Sequence, residues 1–390
     1  MSKDVHYNID KLDKKGAQIN WILGERSNGK SYQVKHKKGI NSYWDISTNY
    51  HANYRNKNEV IEEIIKSKTR RFILLRRLQE EIKPSRVIQY FQDIDISSIT
   101  DGEYNIFDIY RGRVYLANYN HETKKTVKGE YIGYIRALSA EQHDAGSSFL
   151  DVTDIIFEEA ISRTIYLANE PDKLMNFYCT IDRKRGTTRL WIAGNTISRV
   201  CPYFHEWGID TLVRTMKQGE IKTSWLKTGE VDEDGHDVEV LLAVEYCKST
   251  GKSSFVIGKH KDMLNTGAWQ TDPQPHLPKS YKEYKVLFRI GFLYQTFKFL
   301  GELLLDNDTK DVIWFIYPYN REFSDKIIIF SDIIKTSKYY QRDIYNPSIK
   351  NKKVVEILST FKENKIFYSS DLCGTDFKQV IDFTIRKWDD

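Results

Sequence analysis

The stretch "INWILGERSNGKSYQV", residues 19–34, sets an apolar run directly before a loop closed by two glycines and a lysine-serine pair. Gly24-Glu25-Arg26-Ser27-Asn28-Gly29-Lys30-Ser31 fits the pattern GxxxxGK[ST] in full. Each part has a physical task. Gly24 and Gly29 let the loop turn its backbone N–H groups inward around phosphates, Lys30 reaches the β/γ oxygens, and the Ser31 hydroxyl can ligate Mg²⁺. A helix starting at the loop would add its positive end. The expected ligand is therefore ATP with Mg²⁺, held by residues 24–31 and the adjoining Tyr32.

Some 130 residues later "DIIFEE", residues 154–159, offers an apolar strand ending in Glu158 and Glu159. Read alone, the two acids would be a solvated helix start. Beside a phosphate loop, strand-end acids hold Mg²⁺ through water and polarise an attacking water. Glu158 takes the metal-side role, usually filled by Asp, and Glu159 the general base. In "RLWIAGNTISRVCPYF" the next apolar strand ends at Asn195, where a polar tip would sit beside the γ-phosphate. Phosphoryl transfer also calls for an arginine. Arg26 could act in cis, whereas Arg183, Arg185 and Arg189 in "CTIDRKRGTTR" could reach a neighbouring subunit's nucleotide; Arg76 and Arg77 after "FILL" receive no sharper role.

Around these motifs the first two hundred residues alternate short apolar runs with helical segments, the pattern of a parallel sheet with crossover helices. The expected strands are 19–23, 72–75, 154–157 and 190–193. "DIYRGRVYLANYNHETKKTVKGEYIGYI" reads as a projecting β-hairpin with Lys124, Lys125 and Lys128 at its tip. "TDPQPHLPKS" holds three prolines in ten residues and marks a boundary near Pro278. The expected organisation is an α/β P-loop NTPase domain of the ASCE/RecA-like kind over 1–210, a connecting module over 211–278, and a strand-rich α/β or α+β domain over 279–390.

The 390 residues exceed one comfortable core, and the net charge of +5 from 59 basic and 54 acidic residues tolerates nucleic acid without defining a basic arm. Cys179, Cys201, Cys247 and Cys373 form no CxxC pair, which argues against a zinc ribbon or a disulfide scaffold and for a reducing cytoplasm. No apolar run approaches the ~18 residues that span a bilayer, and "MSKDVHYNIDKLDKKG" lacks a signal-peptide core. No membrane partner and no export are expected.

Taken in order, "HYN", "NWILGERSNGKSY", "FILLRR", "GYIRALSAEQ", "TDIIFEEAI", "YLANEPDKLMNF" and "IAGNTISRVCPYF" make the chain resemble the DNA-packaging ATPases of small short-tailed bacteriophages of the phi-twenty-nine type. The likeness covers roughly the first two hundred residues. It implies a ring-forming ATPase, usually a homopentamer, that docks on the portal of an empty procapsid in the host cytoplasm, drives double-stranded DNA inside, and in some relatives uses a scaffold RNA. It also implies that Lys30 and Ser31 bind ATP and Mg²⁺, that Glu158 and Glu159 form the acidic pair, and that Arg183 falls at the position of the trans-acting finger. Related enzymes carry a C-terminal RNase-H-like domain, vestigial in this type.

A two-metal nuclease needs carboxylates converging from strand interiors. "YKVLFRIGFLYQTFKFLGELLLD" has no acid before Glu302, and Asp306, Asp308, Asp311, Asp325 and Asp332 fall near turns. No DNA cleavage is expected. Sequence-independent phosphate contacts are expected from Lys124, Lys125 and Lys128, with a second basic region around Lys335–Lys353. The competing readings are another P-loop DNA translocase, a nuclease-bearing large terminase, a P-loop small-molecule kinase, and a nucleotide-gated adaptor.

Overall fold

A computed structural model describes residues 7, 9–24, 70–92, 94–144, 148–162, 166–231, 234–248, 268–294, 296–324, 326–332, 339–345, 347–363 and 365–386. The chain divides into two compact units. The first comprises Met1–Ile197, Cys201–Val256 and Asp262–Ala268, and the second comprises Ser198–Val200, Ile257–Lys261 and Trp269–Asp390.

The first unit is built on a nine-stranded sheet. Its strands are β1 (Ile19–Gly24), β2 (Arg71–Arg76), β3 (Ile106–Tyr110), β4 (Arg113–Asn120), β5 (Lys125–Ala137), β6 (Val152–Phe157), β7 (Arg189–Asn195), β8 (Ile221–Val231) and β9 (Asp237–Tyr246), in spatial order β3-β4-β5-β2-β6-β7-β1-β9-β8. β5, β2, β6, β7, β1 and β9 run parallel in succession. Every residue of β1 and β6 is buried, as strands covered on both faces require. The four expected parallel strands are all present.

Two hairpins flank this parallel core. The β4–β5 hairpin is antiparallel, but the second half of β5 also pairs with β2, so only its outer part extends past the sheet. β8 and β9, which lie in the stretch read as a connecting module, lengthen the same sheet, because β9 pairs with β1 from Ile19↔Leu242 to Leu23↔Tyr246.

Helices close both faces. α1 spans Asp10–Asp13, α2 Pro84–Phe91, α3 Ile96–Ile99, α4 Glu170–Asp182, α5 Pro202–Glu206 and α6 Asp210–Thr215. α4 buries Leu174, Phe177, Tyr178 and Ile181, spaced as one helical stripe. Proline opens α2, α4 and α5 near the first helical position, where its missing N–H costs nothing. α5 supplies Tyr203 and Phe204, whose rings meet Trp21 of β1 edge-on at 5.7 and 5.2 Å.

The second unit holds a six-stranded sheet of β10 (Tyr284–Tyr294), β11 (Phe297–Asp306), β12 (Val312–Pro318), β13 (Ile328–Ser331), β14 (Tyr340–Gln341) and β15 (Ile366–Tyr368), ordered β14-β13-β10-β11-β12-β15. β10, β11 and β12 are antiparallel neighbours, while β13 runs parallel to β10, β14 to β13 and β15 to β12. Phe292, Phe299, Trp314, Ile316 and Phe330 form a core with Leu358 of α7 (Lys352–Ser359) and with Phe377 and Val380 of α8 (Asp371–Arg386).

Candidate active site

Parallel strands bring their C-terminal ends to one edge of a sheet. At that edge the register pairs Gly24 with Asn195, so the first glycine of the expected phosphate loop and the expected polar tip lie on neighbouring strands. Thr196 N donates to Gly24 O at 3.1 Å and fixes this adjacency. β6 lies beside β7, with Phe157 opposite Ile192, and delivers Glu158 and Glu159 just past its end. β2 follows and delivers Arg76 and Arg77. Glu25, Arg26, Ser27, Asn28, Gly29, Lys30, Ser31 and Tyr32 lie outside the described residues.

The two acids are in different environments. Glu158 is 7% exposed, and the Tyr90 hydroxyl of α2 donates to its Oε1 at 3.2 Å. Burial raises the Tyr90 phenol well above its ordinary value, so it remains a donor. Glu159 is outward-facing and adopts φ 57°, a region that a side chain with a Cβ rarely occupies. Arg76 Nη2 lies 3.1 Å from Glu159 Oε2 and 3.6 Å from Glu81 Oε1.

The backbone at this turn is held from below. Ala160 N donates to Ala193 O at 3.0 Å. Arg77 Nη1 and Nη2 donate to the carbonyls of Glu159 and Ala160 at 3.3 and 2.7 Å. The same guanidinium meets the fully buried Glu170 at 2.8 Å, and Glu170 also accepts from the Tyr203 hydroxyl at 2.6 Å and from Leu167 N at 2.7 Å. Tyr90 and Arg76 therefore contact the two acid side chains, Arg77 holds the backbone at Glu159, and Glu170 with Tyr203 holds Arg77. The sequence reading gave these residues no such role, since their partners lie far along the chain.

The arginines of "CTIDRKRGTTR" lie elsewhere. Arg183 caps the end of α4 at φ 49°, in the loop leading into the N-terminal end of β7. That end is about 20 Å from Asn195 at the usual rise per strand residue, so Arg183 is not brought to the acids of its own chain. Arg185 donates to the carbonyls of Leu150 and Ile181 at 2.5 and 2.9 Å, and the buried Arg189 pairs with Asp13 and stacks 4.4 Å from the Trp191 ring centroid. Both hold the fold of their own chain.

The hairpin lysines also separate. Lys124 occupies the tip at φ 53° with Lys125 beside it, both exposed. Lys128 instead pairs with Asp108 at 3.4 Å and lies 3.7 Å from the centroid of Tyr110. In the second unit Glu302 is buried beneath Tyr281 at 2.5 Å and Arg289 at 2.8 Å, and Lys279 bridges Asp306 and Asp308 at 3.0 and 2.9 Å. Backbone N–H groups of the following turn, with Lys279, hold the Asp306 carboxyl below its ordinary range. Asp325 lies outside the described residues. Among the described residues no three His, Cys, Asp or Glu side chains converge as a metal site, and no helix is long and apolar enough to cross a membrane.

These features coincide with the matches to known proteins. Residues 48–215, which include both acids, Arg183 and Asn195, match the family described as Podovirus DNA encapsidation protein (Gp16). The DNA packaging protein of Bacillus phage B103 is 27% identical over 194 residues, 49% of this chain and 48% of that protein. The DNA packaging protein of Bacillus phage phi29 is 26% identical over 207 residues, 52% of this chain and 50% of its own. The chain thus spans about half the length of the curated relatives it matches. A chain of the bacteriophage Phi-29 viral genome packaging motor assembly shares the fold over 98% of this chain and 99% of its own, with a TM-score of 0.51 and 18% identity. The resemblance to phi29-type packaging proteins seen in the sequence is therefore matched in family, curated relatives and fold.

Proposed function

We propose that this chain is the ATPase of a viral DNA-packaging motor, hydrolysing ATP in a homo-oligomeric ring, as a pentamer in our reading, to drive double-stranded DNA through a portal into an empty procapsid. The observation that carries the reading is the shared sheet edge of Gly24, Asn195, Glu158 and Glu159 within a chain matched to DNA packaging proteins. The acid-bearing β6 is separated from the loop-bearing β1 by one strand, which supports an ASCE-type P-loop site.

The residues suit ATP with Mg²⁺. Glu158 and the Ser31 hydroxyl are the hard oxygen donors that Mg²⁺ prefers, and Lys30 with residues 24–29 would hold the phosphates. When bound there, Mg²⁺ would supply charge neutralisation on the transferring phosphate. Glu158 is oriented by Tyr90. Glu159 accepts the proton of the attacking water; Arg76 holds its Oε2, so release of Arg76 would leave both carboxylate oxygens to the water. Asn195 senses the γ-phosphate from the neighbouring strand. Arg183, at the opposite end of its own sheet, completes the site of the next subunit, and Arg26 is the cis alternative.

In this reading residues 1–210 carry the chemistry, β8 and β9 of the 211–278 stretch extend the same sheet, and 279–390 face DNA and portal as an RNase-H-like domain without nuclease activity. The β12-β11-β10-β13-β14 order, antiparallel then parallel, supports that fold. The bonds from Arg289 and Tyr281 to Glu302, and from Lys279 to Asp306 and Asp308, support the loss of metal chemistry. The motor would act in the host cytoplasm at the portal vertex, with a scaffold RNA as a further partner.

The test is protection of double-stranded DNA from nuclease after incubation with ATP and empty procapsids of the same virus. Protection that requires Glu159, judged with Glu159→Gln, supports the motor. DNA-stimulated ATP turnover without protection would leave a translocase with a different destination.

A further inference from the structure

The β3–β4 connection is a two-residue turn, Arg111-Gly112, between the paired Tyr110 and Arg113. Both central residues have positive φ, 49° and 68°, as a type I′ turn requires. Glycine suits position 112 because its φ of 68° strains other side chains and an added Cβ would stand 3.3 Å from the Ile135 carbonyl oxygen. Arg111 is not needed for the backbone, since glycine or asparagine adopts this conformation at lower cost. Its side chain must supply the reason for its presence.

That side chain belongs to an array. The Arg111 guanidinium lies 5.2 Å from the centroid of Tyr110, and Lys128 reaches the same ring at 3.7 Å. Arg113 stacks 5.1 Å from Tyr131, and Arg71 reaches that ring at 4.7 Å. Arg136 stacks near Tyr134 and clamps the turn through Gly112 O at 2.9 Å. Asp108 offsets the charge of Lys128, and Asp151 that of Arg71. Arg111 and Arg113 are exposed and have no carboxylate partner among the described residues. Alternation along β4 sends Val114 and Leu116 into the helix-covered core and Arg113 and Tyr115 to the other side.

Position decides what the array can meet. β5 is parallel to β2 and β3 runs with β5, so the turn opens toward the sheet edge that carries Glu159. Ile135, beside Gly112, is level with Leu74 and Ile156, about 10 Å short of Glu159 along the strands. The turn is also five strand intervals from β1, about 24 Å at the usual spacing. It cannot touch the nucleotide of its own loop. Guanidinia pre-ordered on separate rings, rather than converging on one point, suit a chain of repeated phosphates.

We propose that Arg111 and Arg113 form a DNA-backbone contact site, with Arg136 and Gly112 as positioning residues. The proposal rests on the packaging reading above and moves the first DNA contact from the hairpin tip to the opposite end of the same hairpin strands.

The test is equilibrium binding of duplex DNA by the full chain with a non-hydrolysable ATP analogue, at several salt concentrations. Arg111→Ala with Arg113→Ala should weaken binding and lower the log–log salt slope by about 2, close to one for each phosphate that is no longer neutralised. Lys124→Ala with Lys125→Ala should retain most of the slope, with nucleotide affinity unchanged in both double variants. An unchanged slope and affinity in the double arginine variant would overturn the proposal. So would a loss of binding that tracks loss of the oligomer in sedimentation, which would make the face a contact between copies. If the wild-type chain binds no DNA, the packaging reading falls with it; if the wild type binds and the variant binds equally, only this site falls.

Discussion

Arg76 Nη2 lies 3.1 Å from Glu159 Oε2, joining the end of one parallel strand to the proposed base at the end of its neighbour. Glu159 is the more exposed partner, and such pairs contribute at most about 1 kcal/mol. The contact is therefore weak enough to exchange during turnover. Arg76→Ala should raise DNA-independent ATP hydrolysis by up to about fivefold and shrink the stimulation by DNA. Turnover that falls, with stimulation by DNA intact, would give Arg76 a different role.

Arg77 and Glu170 form a buried pair that also carries the Glu159 and Ala160 carbonyls. Removing one member strands the other, at about 3–5 kcal/mol. Arg77→Ala should lower the urea midpoint of the first unit accordingly, whereas Tyr203→Phe, which removes one bond to Glu170, should cost about 1–3 kcal/mol. Equal effects of the two would show that Glu170 finds another partner.

Glu245 is 6% exposed at the end of β9 and accepts from the Tyr7 hydroxyl at 2.8 Å. Burial pushes its carboxyl up to about 7 against the opposing influence of Tyr7. A raised folded-state value means that the folded chain holds the proton more tightly. Stability is therefore greatest below the ordinary carboxyl range and is lost as pH rises through about 7. The full difference is about 3 kcal/mol. Glu245→Gln should melt higher than wild type at pH ~8 and differ little at pH ~4.5; a gap that does not vary with pH would refute the titration.

If Arg183 completes a neighbour's site, Arg183→Ala and Glu159→Gln should each reduce turnover by about 10³-fold or more. Mixing them should restore activity, because an Arg183→Ala subunit retains Glu159 and can borrow Arg183 from a Glu159→Gln neighbour. A mixture as inactive as its parts would place the essential arginine in cis, with Arg26 the first to examine.

What could be read directly from the sequence was local. β1, β2, β6 and β7 announce themselves as apolar runs, and their ends carry the motif residues, so the Gly24, Asn195 and Glu158–Glu159 edge follows from pattern and spacing. Pairings across long separations were not legible. Ile19 meets Leu242, which is why β8 and β9 looked like a connector. Arg77 finds Glu170 after 93 residues and Tyr90 finds Glu158 after 68, and no local signal marks either. Lys128 looked like a free tip lysine because Asp108 and Tyr110 face it only once the strands have paired.

The place of β1 in the sheet has a consequence during synthesis. Both of its neighbours, β7 and β9, are made long after it. At typical translation speeds the strand bearing Gly24 waits on the order of ten to forty seconds before β9 follows. Until β7 emerges β1 has no neighbouring strand to join, and until β9 follows it is paired along one side only. In the proposed ATPase, the sheet edge carrying Gly24, Asn195 and Glu158 would thus be complete only once β7 has left the ribosome.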